Sequence, residues 1–354
     1  MTEQSVCAVA LGAQRHENGP MVAHLLDALP GSVDEALAAA PAIARVAPLP
    51  GSGSTLDLWE GLATLAAHDL GVARAVEPHL DAVAILRQAE DSVVAGTTDA
   101  AAGDTRTWGV FAAEGGPDPL VATPTPGGWI LDGTKPWCSL ADRLTDALVG
   151  ARTADGERRL FAVSLAEGGV HPDVSAWHAR GLAEIPSGPV RFDRVPAAPV
   201  GDAGWYLARP GFAWGGIGVA ACWYGGAVGI ARTVFDAALA DDASPFLLMH
   251  LGAIDAALQS ARRALAEAVR AVDAGDATGD AGSLLAKRVR AAVAWAAETT
   301  VVRSGHALGP APLALDPAHA KRVADLQLYV RQHHAERDEN SLGRALAGSG
   351  VAPW

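Results

Sequence analysis

The chain has 354 residues, half of them apolar and 19% charged, and 27 lysines and arginines against 40 aspartates and glutamates leave a net charge of −13. That length predicts two or three packed units or one elongated fold with a large core, and the acidic balance disfavours phosphate backbones, so no nucleic-acid partner is expected. Cys7, Cys138 and Cys222 are too few and scattered for a disulfide framework, no CxxC, HExxH or Cys/His cluster suggests a metal site, and the start MTEQSVCAVALGA does not read as a signal peptide, so a reducing cytoplasm is the expected setting.

Residues 1–105 are rich in alanine and leucine. Helical patterns such as Met21–Leu29 and Leu56–Leu70 flank a loop-forming PLPGSGS at Pro48–Ser54, which predicts an N-terminal helical domain. Leu58, Leu62, Leu65 and Leu70 recur near helical spacing, with Asp57, Glu60 and Asp69 elsewhere around the wheel. From 106 to 204 the texture changes. Turn signals (GGPDP, PTPGG, ADGE, EGG, PSGP) separate short apolar runs at Trp108–Ala112, Trp129–Leu131, Ala147–Ala151, Leu160–Leu165 and Val190–Phe192, the pattern of a middle β domain or barrel. Longer helices return over 205–354, expected near Phe212–Ala240, Phe246–Ala274, Ser283–Leu308 and Pro317–Leu346, with Asp273–Gly282 as an inter-helix loop. Helix, sheet, antiparallel helical bundle: the fold class is α+β.

Between Arg209 and Arg232 lie 22 uncharged residues, long enough to span a bilayer and containing the close-approach pair Gly225 and Gly229. Seven of the 22 are glycine and none is leucine, so a helix buried within a bundle is the expectation and no membrane partner is predicted. Gly216-Ile-Gly218-Val-Ala-Ala221 matches a dinucleotide fingerprint in spacing, but no strand precedes it, and small residues for helix contact explain it better. Neither a Walker loop nor a GxSxG elbow occurs.

Candidate chemistry is sparse. His333 and His334 stand in QLYVRQHHAERD; at helical spacing His334 and Asp338 share a face, a proton-relay pair or a solvated charged face. Cys138 reads as a buried structural thiol. The richest stretch is GGWILDGTKPWCSLADRLTDALVGAR at 127–152: a strand, a tight turn at Asp132-Gly133, then Lys135-Pro136-Trp137-Cys138-Ser139 leading to another apolar strand. Trp137 beside the Ser139 hydroxyl suits a flat aromatic cofactor, the indole packing on the ring and the serine bonding its polar edge. A core tryptophan with a turn serine fits the same residues.

The pattern G-G-W-x-L-x-G-x-K-x-W-x-S, followed by A-D and L-V-x-A-R, resembles the middle domain of the acyl-CoA dehydrogenase flavoproteins, and the helix–sheet–helix order agrees over nearly the whole chain. The resemblance implies FAD, contacted by Trp137 and Ser139, with Phe111 and Ala113 in the strand that lines the flavin; Ala113 stands where the family carries threonine. It also implies a homodimer or homotetramer formed through the C-terminal bundle. The family's catalytic glutamate, in Tyr-Glu-Gly-Thr, maps onto Tyr329-Val330, and an alternative base position on the first bundle helix maps near Val219; a hydrocarbon accepts no proton. On the adenine side, Arg-x-x-Phe-Gly is replaced by Leu248-Met-His-Leu251-Gly252, and Gln-x-x-Gly-Gly-x-Gly by Arg303-Ser-Gly-His306-Ala307-Leu-Gly309, leaving Arg303 as the cofactor contact there.

The first expectation is therefore an FAD-dependent oxidoreductase that oxidises a CH–CH bond of an acyl thioester on CoA or a carrier protein, with His334, His333 or Glu336 as a substitute base. The second is a monooxygenase of the same fold using externally reduced flavin and oxygen. The third is a non-catalytic paralogue that assembles with an active homologue.

Overall fold

The computed structural model describes residues 7–12, 17–90 and 105–354; residues 1–6 and 13 of the N-terminal stretch MTEQSVCAVALGA lie outside it. The N-terminal helices are α1 (Pro20–Asp27), α2 (Val33–Val46), α3 (Thr55–His68) and α4 (Leu70–Glu90). Helix α3 is buried nearly all round, and its Asp57 and Glu60 face inward. Asp57 accepts the N–H groups of Met21 and Val22 at 2.9 and 3.1 Å, and Glu60 accepts those of Leu11 and Gly12 at 2.6 and 3.2 Å. These carboxylates satisfy backbone donors that would otherwise be buried unpaired.

Among the described residues seven strands follow: β1 (Trp108–Phe111), β2 (Val121–Thr125), β3 (Gly128–Lys135), β4 (Asp146–Thr153), β5 (Arg158–Ser164), β6 (Val170–Pro172) and β7 (Val190–Val200). The pairings β4–β2, β2–β3, β3–β7, β7–β5 and β5–β4 close a ring, with β1 parallel to β4 and β6 on β7, so the middle region is barrel-like. Asp132-Gly133 is not the expected turn. It lies inside β3, where the register to β7 shifts between Leu131 and Gly133 and Gly133 has φ +118°; the hairpin turn sits at Pro126-Gly127 instead. A β-bulge uses the same glycine freedom as a turn, and the partner strand β7 decides between them.

The C-terminal bundle contains α5 (Trp205–Ala208), α6 (Pro210–Ala238), α7 (Pro245–Asp273), α8 (Gly279–Leu308), α9 (Pro310–Leu315), α10 (Pro317–Tyr329) and α11 (Glu336–Gly348). The apolar segment is α6, and 72% of its most apolar window is buried, chiefly against α3 and α8. A Cβ at Gly225 would stand 2.1 Å from the Ala63 carbonyl oxygen, and one at Gly229 would stand 2.7 Å from that of Ala67. The glycines thus let α6 touch the α3 backbone, and Gly216 and Gly218 lie within the same helix rather than after a strand.

The helix expected over Pro317–Leu346 is broken. A 3₁₀ turn over Val330–Gln332 ends α10, Arg290 of α8 donates to the Gln332 carbonyl at 3.0 Å, and Ala335 turns the chain at φ +43°. Asp338 then accepts the His334 N–H at 3.1 Å. The acidic run Glu336, Asp338, Glu339 is therefore the first turn of a new helix, where negative charge is favoured.

Candidate functional site

Strand β3 delivers Lys135 into the barrel wall, and the chain after it turns sharply. The Lys135 ammonium donates to the Gly150 carbonyl at 2.5 Å, and burial pulls its pKa down to about 8. The Cys138 Sγ contacts the Lys135 carbonyl at 3.3 Å, and burial pushes that thiol up to about 12, so it is no nucleophile. Trp137 has φ +61° and is 63% exposed. A large aromatic in the left-handed region with its indole open to solvent is strained and uncovered, a combination that points to a ligand platform.

Ser139 lies behind it and is buried. Cys138 and Leu140 donate their N–H groups to the carbonyls of Gly188 and Pro186, whereas no acceptor takes the Ser139 N–H among the described residues. The Ser139 Oγ stands 2.7 Å from the Ser187 Oγ, which donates to the Ile185 carbonyl at 3.1 Å, and Arg74 of α4 donates to Ser139 at 3.1 Å. The direction of the chain follows: Arg74 to Ser139, Ser139 to Ser187, Ser187 to Ile185. A small cleft opens beside it, lined by Arg74, Trp108, Gly109, Val110, Phe111 and Ser139.

Arg74 is the hub. Its guanidinium is 3.4 Å from Glu77 and 5.6 Å from the centre of the Tyr329 ring. Burial raises the Glu77 carboxyl to about 7, with Arg74 opposing the shift. Around them, Arg290 stacks on Trp223 at 4.6 Å. The buried Tyr329 hydroxyl has no nitrogen or oxygen partner among the described residues and lies beside the Cys222 thiol.

The sequence-derived residues fall into separate places. Phe111 is buried at the end of β1, and Ala113 is exposed just beyond it. Arg303 sits half-buried on α8 and does not line the Ser139 cleft. His333 is buried edge-on to Trp223, with centroids 6.4 Å apart, and desolvation lowers its pKa. His334 is exposed, 3.5 Å from Asp338, and Glu336 is exposed at the start of α11. Val330, at the family's base position, is buried and apolar. Arg74 and Glu77 were not singled out from sequence, although charged residues at 74, 77 and 81 form an i, i+3, i+7 stripe on α4.

A helical N-terminal layer, a closed sheet carrying the Lys135–Ser139 turn and a C-terminal bundle define the acyl-CoA dehydrogenase fold, and the chain has that fold. The nitrososynthase of Micromonospora carbonacea var. africana superposes with a TM-score of 0.77 at 17% identity, covering 97% of this chain and 100% of that one. KijD3, solved with FMN and dTDP-3-amino-2,3,6-trideoxy-4-keto-3-methyl-D-glucose, gives 0.76 at 20% identity over 93% of each chain. A steroid ACAD variant gives 0.70 at 21% identity over 90% of each. No protein-family model matches the sequence, and no curated protein matches it.

Proposed function

We propose that this protein is a flavin-dependent oxidoreductase that works with externally reduced flavin and oxygen, rather than by dehydrogenating an acyl thioester. The observation that carries the reading is the surroundings of Ser139: a cation, Arg74, faces the cleft, and no carboxylate lines it among the described residues. Dehydrogenation of a thioester needs a base for the α-proton, and Val330 offers none. Oxygenation needs no such base. One atom of oxygen enters the substrate, the other leaves as water, and the flavin supplies the electron pair.

The residues present fit a flavin ring. The exposed Trp137 indole offers a stacking face, the Ser139 N–H offers a donor, and Gly109 in β1 keeps the cleft wall low. For the Ser139 hydroxyl to donate to a ring, its bond to Ser187 must be given up, while Arg74 can stay in place as a positive charge beside the ring. Leu248 and Met249, in the segment that replaces the adenine-side arginine motif, are exposed hydrophobics. A flavin held mainly by its ring, FMN as readily as FAD, follows from that. The same surface, with Phe246 at 73% and Leu239 at 67% exposure, is where a homodimer or homotetramer would pack.

The test is the visible spectrum with added FMN or FAD, followed by two assays. Oxygen consumption that requires a flavin reductase and NADH supports the reading. Anaerobic bleaching of bound flavin by acyl-CoA thioesters would overturn it in favour of dehydrogenation. No flavin band under either condition would leave an assembling, non-catalytic role.

A further inference from the structure

Lys135 and Arg290 are cations already committed within the fold. Lys135 gives its ammonium to the Gly150 carbonyl, and Arg290 donates to the Gly216 and Gln332 carbonyls at 2.8 and 3.0 Å while stacking on Trp223. Arg74 is different. It lines the cleft beside Ser139 with 14% of its side chain exposed. Among the described residues two of its N–H groups are taken, one by Glu77 at 3.4 Å and one by Ser139 at 3.1 Å. A guanidinium carries five such donors and stays protonated at any working pH. The Tyr329 ring packs on it and adds no charge, because burial keeps the phenol protonated. Glu77 is the one counter-charge that touches Arg74 among the described residues, and it is a weak one: the contact is long and runs through a single oxygen, and burial lifts the carboxyl to about 7. Asp81 on α4 pushes that carboxyl further up and Arg290 from α8 draws it down, while Cys222 from α6 and Tyr329 from α10 are neutral neighbours. Net positive charge therefore faces the cleft.

We propose that Arg74 is the residue by which this protein tells reduced flavin from oxidised flavin: its guanidinium pairs with the negative charge that reduction places on the ring, and Glu77 limits the preference. The inference rests on the reading that the protein takes up flavin already reduced, since such a protein must favour that form over the oxidised one in the same solution. The oxidised ring is neutral. The Trp137 indole and the Ser139 N–H serve both forms alike, so they give affinity without discrimination. A fixed cation in a partly buried site acts on the charged form alone, and it does so more strongly than in water. Arg74 needs no rearrangement for this role, because Ser139, Glu77 and the Tyr329 ring already hold it at the cleft. Selection between the two forms is also a shift in potential: for a two-electron couple, a tenfold ratio of affinities raises the bound flavin by about 30 mV.

The probe is FMN, oxidised or reduced with dithionite, titrated anaerobically against the full chain at about pH 8, where Glu77 is ionised, and followed by quenching of protein fluorescence. Reduced FMN should bind more tightly than oxidised FMN by about tenfold or more, and the bound couple should lie about 30 mV or more above free FMN. Arg74→Met should abolish the preference while oxidised FMN still binds within about threefold of its parent affinity, which reports an intact site. Arg74→Lys keeps the charge and should keep most of the preference. Glu77→Gln removes the counter-charge and should raise the preference about threefold or more, a change of opposite sign that a merely structural Arg74 would not produce. Equal affinity for the two forms, a preference that survives in Arg74→Met, or one that falls in Glu77→Gln would overturn the proposal and leave the reductase-dependent oxygen assay to judge the reading beneath it. Binding of neither form would overturn both.

Discussion

Lys321 and Arg74 are both cations set among carboxylates where helices meet the sheet region, and they are satisfied to different degrees. The Lys321 ammonium reaches Asp69 at 2.9 Å, Glu184 at 2.6 Å and Asp325 at 2.7 Å, and Asp325 also accepts the Leu182 N–H at 2.6 Å. The acceptor atoms of these three acids lie within 4.8 Å of one another, a spacing that would suit a metal ion, but the lysine fills the space between them. Arg74 has one long contact to Glu77, one serine and one ring face. A network whose donors and acceptors are all engaged fixes structure, whereas one left short keeps capacity for a further partner.

Removing each cluster's central group should separate these roles. Lys321→Met leaves three carboxylates facing one another with Asp325 almost fully buried, and should destabilise the protein by about 3 kcal/mol, discounted because the Lys321 side chain is 36% exposed. Denaturant unfolding reads the loss, and calcium should restore part of it in the variant alone. An unchanged midpoint would mean that the clip is ornamental.

Glu77→Gln should act in the opposite direction. The carboxyl rises from 4.5 unfolded to about 7 folded, so the folded state holds the proton more tightly. Its unfavourable contribution is absent below about 4.5, grows as pH rises through that window and is complete above about 7. The glutamine variant should therefore be more stable by about 2 kcal/mol at pH 8, with Arg74's lost contact deducted, and equal to the parent near pH 4.5. Destabilisation at pH 8 would show that the Arg74–Glu77 pair is a structural clip after all.

Two smaller effects test the open side of the Arg74 cluster. Trp137→Ala should change stability by less than about 0.5 kcal/mol, since the indole is exposed, yet weaken flavin binding about tenfold or more in a fluorescence titration. A large stability loss with unchanged flavin affinity would return Trp137 to the core. His334→Ala removes one exposed ion pair and should cost no more than about 0.3 kcal/mol, with oxygen consumption unaltered. A marked loss of turnover would restore His334 as a chemical group.

The fold was legible because it rests on patterns that repeat. Leucine spacing marked α3, turn punctuation marked the barrel strands, and the Lys135–Ser139 run pointed to the dehydrogenase-like sheet. Single-site events were read less well. Asp132-Gly133 carries the same dipeptide whether it closes a hairpin or makes a bulge, and only the pairing of β3 with β7 selected the bulge. QLYVRQHHAERD has no proline or glycine to announce a break, and the stop after Tyr329 accompanies the bond from Arg290 to Gln332, on a neighbouring helix.

What the sequence determined by itself is the order of helix, sheet and helix, the acidic surface charge, the glycine-rich apolar helix, and the tryptophan and serine of the Lys135–Ser139 turn. These follow from periodicity and composition, which act over a few residues. The tertiary structure alone decided that Trp137 faces outward while Ser139 is tied to Arg74, that His333 packs on Trp223 away from its neighbour, and that Glu77 and Asp81 are paired with Arg74 and Arg209. Burial, and with it the protonation of a carboxyl or the reach of a guanidinium, is set by which helices meet, and contacts between residues as distant in sequence as 74 and 329 leave no local mark.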